Sequence, residues 1–230
     1  MKITIIYGQN HKGSTYHMAR MLADKIDGEI TEFFLPKDFS SDCVRCINCI
    51  IKSEELCPHR QELLLILQSM DEADLIVLAS PVYVLHATGS MKTFLDHCAY
   101  RFMVHRPVAS MFHKQAVVLS TAAGGGMKST NKDMADSTFS WGIAKTYQYG
   151  EKLYASCWEE VSDKKKKKID QKLTKIARQI QKNAGKVRPS LKTKMCFYLM
   201  RFMQIRGLNE KDLTYWQANG WTKKVRPWKV

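Results

Sequence analysis

A strand-like run, Lys2-Ile-Thr-Ile-Ile-Tyr7, passes directly into a loop bounded by Gly8 and Gly13 and then into a helical stretch over residues 14–26. This opening unit constrains the fold more than any other feature, because an apolar strand without alternation must be covered on both faces. The pattern then repeats. Further strands are expected near residues 29–35, 74–79, 115–121 and 146–156, with helices over 60–70, 88–100 and 131–141. Strands that alternate with helices predict the α/β class, with a doubly wound parallel sheet between two helical layers. Ligands of such sheets gather at the carboxyl ends of the strands. Beyond the fifth strand, Ser162 is placed to cap a long helix whose apolar stripe is Ile169, Leu173, Ile176, Ala177 and Ile180. Asn183 to Gly185 end that helix.

Composition narrows the class. With 45% apolar residues in 230, the chain can bury a core, which excludes wholesale disorder. No stretch reaches the roughly 20 apolar residues that span a bilayer. The N-terminus lacks a charged n-region and cleavage site, so a cytoplasmic protein is expected. In a reducing compartment, seven cysteines point to metal or redox chemistry more than to disulfides. The net charge of +14 is concentrated in Lys164–Lys168 and across residues 186–230. That placement suits a solvated or docking face. A nucleic-acid role would rest on charge alone and is set aside.

Three loops sit at the expected ligand edge. The first, Gly8 to Thr15, has glycines that let backbone N–H groups surround an anion at a helix start, with Lys12, Ser14 and Thr15 as further donors. Its spacing approaches the nucleotide-binding pattern Gly-x4-Gly-Lys-Ser/Thr, but Ser14 stands where the lysine belongs, so a phosphate monoester fits better. The second, Ser80-Pro-Val-Tyr83, fixes the backbone at Pro81 and sets an aromatic face over the same crevice. The third, Thr121-Ala-Ala-Gly-Gly-Gly126, has small residues that admit a flat ring close to the backbone. Each loop alone has an ordinary structural explanation. Their joint position at one sheet edge does not.

On these residues the chain resembles the NADPH-dependent FMN reductase group of flavodoxin-like proteins over roughly residues 1–160. The resemblance implies a five-stranded sheet of order 2-1-3-4-5, FMN as cofactor and NAD(P)H as co-substrate. It implies that Gln9, His11, Lys12, Ser14 and Thr15 hold the phosphate. It further implies that Pro81, Val82, Tyr83, Thr121, Ala122, Ala123, Gly124 and Gly125 border the ribityl chain and ring. Many members carry Ser-Pro-Arg in the first loop, where this chain has Gln9-Asn10-His11. The implied activity passes electrons from a nicotinamide through FMN to a small acceptor such as quinone or flavin. No protein acid or base is required, and none is named. An electron carrier without nicotinamide turnover is the alternative, against which the basic charge counts.

Cys43, Cys46, Cys49 and Cys57 give the spacing C-x2-C-x2-C-x7-C, followed by Pro58. Four thiolates this close suit a [4Fe–4S] cluster, as in the related iron–sulfur flavoproteins; zinc also accepts four thiolates. Free or redox-active thiols are the reading carried forward, with the cluster as its alternative. Cys98, Cys157 and Cys196 are expected to be packing residues. His86, His97, His105 and His113 show no ligand spacing, and Arg101 and Arg106 are candidates for a nicotinamide nucleotide's phosphate.

Residues 1–185 are thus expected to form the FMN-binding domain and 186–230 a basic, aromatic-rich extension. Its run from Met195 to Met203 is too short to span a membrane and too apolar to stand bare. A helix packed on its own domain, one swapped onto a second subunit, and a basic amphipathic membrane contact are the choices. Because similar reductases dimerise near the flavin, a homodimer with a swapped helix is expected, and membrane contact is not.

Overall fold

The computed structural model describes residues 1–229. Its strands are β1 (Lys2–Tyr7), β2 (Glu29–Phe34), β3 (Leu75–Pro81), β4 (Gln115–Ala122) and β5 (Lys145–Lys152). All pair in parallel, in the order β2-β1-β3-β4-β5. The doubly wound, flavodoxin-like sheet expected from the sequence is the one observed. Leu75 to Ser80 of β3 and Gln115 to Thr121 of β4 are buried throughout, which is why neither strand alternates.

The helices are α1 (Ser14–Ala23), α2 (Asn48–Ile51), α3 (Arg60–Glu72), α4 (Gly89–His97), α5 (Met127–Ser140), α6 (Asp163–Lys182), α7 (Leu191–Ile205) and α8 (Glu210–Ala218). Successive β3 side chains divide between the two covering layers. Leu75, Val77 and Ala79 pack with Met18 and Leu22 of α1 and with Ile169, Leu173 and Ala177 of α6. Ile76 and Leu78 pack with Leu63 and Ile66 of α3, Phe94 of α4 and Met134 of α5. Ser162 caps α6, accepting from the Lys165 amide.

Two boundaries differ from expectation, and both matter for the crevice. β5 stops at Lys152 rather than near 156, so the following residues form a loop at the carboxyl edge. α5 starts at Met127, directly after Gly126, whose φ of 92° only glycine adopts without strain.

The C-terminal extension closes on its own chain, not by the swap expected from the sequence. Phe197, Trp216, Trp221 and Trp228 bury around Phe112 and Met103. Phe197 and Trp216 stack at 4.8 Å. Three donors tie this cluster to the main domain: Trp216 Nε1 to His105 O at 2.7 Å, Tyr215 OH to Pro107 O at 2.8 Å, and Gln204 Nε2 to Val104 O at 2.6 Å. Burying three indoles, with the Trp216 N–H answered by a carbonyl of the main domain, locks the extension in place.

Candidate functional site

The β1–α1 loop is drawn tightly across the sheet edge. Gly8 N donates to Ala79 O at 2.8 Å, and Thr88 Oγ1 donates to Gly8 O at 2.6 Å. A Cβ on Gly8 would stand 2.7 Å from Thr88 Oγ1 and 3.0 Å from the Ser80 hydroxyl, so only glycine fits. Gly13 begins α1 with no side chain capping it and no acidic residue in the first turn. The first N–H groups of α1 therefore keep their donors, and the positive end of the helix dipole, turned toward the crevice.

That crevice, of about 370 Å³, gathers Gln9, His11, Ser14 and Thr15 from the first loop with Pro81, Val82 and Tyr83 from the second. Thr121, Ala122 and Ala123 supply the third side. Thr15 and Thr121 join first and third loops through a 2.6 Å bond between their hydroxyls, and Val82 N donates to Thr121 O at 2.9 Å. Tyr83 is half exposed at the rim. It closes a tight turn with His86, and the two residues between, Val84 and Leu85, have φ of 49° and 68°. Left-handed backbone at a β-branched residue is strained, and here it holds an aromatic–apolar tip beside the crevice.

Lys12, Gly124 and Gly125 stand outside this lining. The Lys12 ammonium lies 5.3 Å from the centre of the Tyr16 ring instead. Sequence reading missed the fourth wall, Leu153, Ala155, Ser156 and Cys157. The signal was available, since these residues follow a strand at its carboxyl end; extending β5 through 156 hid them. Cys157 is accordingly a partly exposed wall residue rather than core packing, whereas Cys196, partly buried, packs against the aromatic cluster of the extension. Cys98 is buried as expected, and burial pushes its thiol up to about 12.

Arg101 and Arg106 do not face the crevice. Arg101 is buried against Asp71. Arg106 is buried against Asp212, fully enclosed on α8; the nitrogen that meets Asp212 also donates to Ile50 O, and the other terminal nitrogen donates to Cys49 O and Glu54. Neither guanidinium lines the crevice, so the nucleotide-phosphate role expected for them finds no support in the structure: Arg101 is enclosed beside Asp71, and Arg106 is taken up by carboxylates and carbonyls.

The cysteine loop forms a second centre. Cys43, Cys46, Cys49 and Cys57 line one cavity of about 180 Å³. Arg45 and Ile47, on either side of Cys46, both have φ of 53°. Such left-handed residues curl the backbone so that N–H groups turn inward, as at anionic centres. The Cys49 thiol is raised, chiefly by burial and then by the neighbouring Cys57, Cys43 and Cys46. His59 and His97, which sequence spacing did not connect, meet beside Cys57: His59 Nδ1 lies 2.9 Å from His97 Nε2, and His97 Nδ1 lies 2.9 Å from Thr93 O.

The family model for NADPH-dependent FMN reductases matches residues 1–146. The chain belongs to the NADPH-dependent FMN reductase family. An iron–sulfur flavoprotein of Archaeoglobus fulgidus is 31% identical over 142 residues, 59% of this chain and 58% of that relative. The chain thus spans a little over half the length of that curated relative. Among solved structures, an FMN-dependent NADH-azoreductase from Bacillus anthracis, in complex with FMN, superposes with a TM-score of 0.57 at 14% identity. It covers 77% of this chain and 100% of that one. An NAD(P)H:quinone oxidoreductase from Methanothermobacter marburgensis gives 0.59 at 13% identity, covering 78% and 96%. At these identities the structural likeness concerns the fold.

For this FMN reductase family member, the crevice fits the family's cofactor. None of the residues lining it is acidic, so nothing repels a phosphate dianion. An uncapped helix start, two hydroxyls and an imidazole stand at one end, while the small side chains of Ala122 and Ala123 leave room for a planar ring. No lysine or arginine lines it; the donors on its walls are backbone N–H groups, hydroxyls, the Gln9 amide and the His11 imidazole.

Proposed function

We propose that the chain holds FMN in this crevice and oxidises NAD(P)H, passing the electrons to a small acceptor such as a quinone or free flavin. The observation that carries the reading is the convergence of the β1–α1, β3–α4 and β4–α5 loops around one crevice at the uncapped start of α1. FMN, when bound, would supply the redox chemistry that couples oxidation of the nicotinamide to reduction of the acceptor. The protein's part is binding. The first N–H groups of α1, with Gln9, His11, Ser14 and Thr15, hold the phosphate; Thr121 to Ala123 back the ring. Pro81 to Tyr83 border it. The test is the visible spectrum of FMN-loaded protein, followed by turnover of NADPH and NADH against quinone, ferricyanide and free flavin. Flavin bound without oxidation of either nicotinamide would return the chain to the class of electron carriers.

A second reading adds a [4Fe–4S] cluster on Cys43, Cys46, Cys49 and Cys57. Two observations favour it: the four thiols share one cavity, and the curated relatives are named iron–sulfur flavoproteins. Iron and acid-labile sulfide measured on anaerobically prepared protein decide it. Four irons per chain support the cluster, and a value near zero leaves free thiols.

A further inference from the structure

The extension leaves one apolar face uncovered. On α7, Thr193, Phe197 and Gln204 turn into the protein, whereas Leu191, Met195, Tyr198, Leu199, Phe202 and Ile205 turn outward, each 46% to 75% exposed. At 100° per residue the six outward positions fall within an arc of about 120°. Leu208, 48% exposed, continues the patch past the helix end. Scattered apolar residues at a surface are ordinary, but a contiguous stripe of this kind marks a contact.

The surroundings of the stripe say what the contact is with. Residues 186–230 contain eleven lysines and arginines against two acidic residues. One of those two, Asp212, is fully buried on Arg106, which leaves Glu210 as the one outward acidic side chain among the extension's described residues. The cations border the stripe itself. Arg206 lies 4.1 Å from the Phe202 ring, Arg226 lies 5.1 Å from the Tyr198 ring, and Lys194 lies 5.9 Å from that of Trp228. Their stems cover apolar surface while their charges stay at the edge, the arrangement by which lysine and arginine reach a headgroup layer. A second copy of this chain, placed face to face, would set the two basic rims against each other. No helix among the described residues is long and apolar enough to cross a membrane, so the contact lies along a surface.

We propose that α7 docks the protein on an anionic lipid bilayer, with the stripe at the boundary of headgroups and acyl chains and the basic rim among the lipid phosphates. The second subunit expected from the sequence rested on the dimerisation of similar reductases, whereas the structure shows which side of α7 its own chain covers. The inference is independent of the flavin reading, since no stripe residue lines the crevice.

The test is co-sedimentation of the full chain, loaded with FMN, on vesicles of phosphatidylcholine alone and of phosphatidylcholine with phosphatidylglycerol. The wild-type chain is expected to bind the anionic vesicles at least about tenfold more tightly than the neutral ones, a difference that shrinks as salt rises. Leu199→Glu with Phe202→Glu, and separately Lys194→Glu with Arg226→Glu, should each weaken anionic binding about tenfold or more. Leu199 and Phe202 are exposed, Lys194 and Arg226 partly so, and none lines the crevice; circular dichroism and bound flavin should remain unchanged, and Leu199→Glu with Phe202→Glu alone decides the matter should the second pair disturb the fold. Absence of binding to anionic vesicles, or equal binding by the variants, overturns the proposal. So does a wild-type dimer that Leu199→Glu with Phe202→Glu splits while vesicle binding stays as it was, because a second copy then covers the face.

Discussion

Thr15 and Thr121 sit 106 positions apart in sequence, yet their hydroxyls meet at 2.6 Å where the first and third loops close on the crevice. One bond of this kind is worth about 1 kcal/mol to the fold. Its larger effect is to fix both loops at the separation the ligand needs. Thr15→Val keeps the shape and removes the hydroxyl; FMN affinity, followed by quenching of flavin fluorescence, should fall about tenfold while stability drops by only about 1 kcal/mol. Val84 presents the opposite case, in which the fold tolerates a residue its backbone disfavours. With φ of 49° and its side chain almost fully exposed, Val84 gains little from its own contacts. Val84→Gly should raise the urea midpoint, by about 1 kcal/mol of released strain less the entropy glycine adds to the unfolded chain. If the rigid tip serves the crevice, the same variant should raise the KM for nicotinamide with kcat less affected.

Among the elements, α8 acts furthest from its own position. Asp212 is completely buried and accepts from Arg106 and, at 2.8 Å, from His105 Nδ1. Arg106 in turn donates to the backbone carbonyls of Cys49 and Ile50, and Asn209 Nδ2 reaches Ile50 O at 3.5 Å, so the extension holds the cysteine loop through this guanidinium and by direct contact. Asp212→Ala would strand a buried charge and should cost about 3–5 kcal/mol in urea unfolding. It should also loosen the loop, so that a thiol reagent labels Cys49 faster than in the wild-type chain while Cys98 stays protected. No local pattern announces this link, because its partners are separated by half the chain. The strands were legible for the opposite reason: β3 and β4 are buried on both faces, and an unbroken apolar run is the direct imprint of that burial. The crevice was legible in three of its four walls, each a loop with glycine, proline or small residues after an apolar strand. The fourth was lost to a misplaced strand end at Lys152. On α7 the difficulty was different. Phe197 on its inner side and Phe202 on its outer side are equally apolar, so periodicity could not tell which side the chain itself covers.

At the scale of the whole molecule, one buried amine and several buried phenols set how stability varies in alkaline solution. Lys114 is almost completely enclosed at the far end of the sheet, donating to Met70 O at 2.9 Å and to Asp71 O. Burial pushes its ammonium down from 10.5 to about 8. Between those values the unfolded chain binds a proton that the folded chain has released, so stability rises with pH. Below pH 8 the amine is charged in both states and its full cost is present. Tyr7, Tyr100 and Tyr149 act in the other direction. Burial raises each phenol above its ordinary value of 10, with Glu32 and Glu151 adding to the effect at Tyr7 and Tyr149. Above pH 10 the unfolded chain therefore loses protons that the folded chain keeps, and stability falls. The Cys98 thiol, which burial raises from 9 to about 12, adds to this loss from pH 9 upward. The stability of the wild-type protein should accordingly climb by about 1 kcal/mol from pH 7 to pH 9, level off, and then drop steeply past pH 10. Lys114→Met should flatten the climb and leave the drop in place, because it removes the amine and spares the phenols. Urea midpoints of both proteins at pH 7, 8.5, 9.5 and 11 separate the two contributions; a climb that survives in Lys114→Met would show that another group drives it.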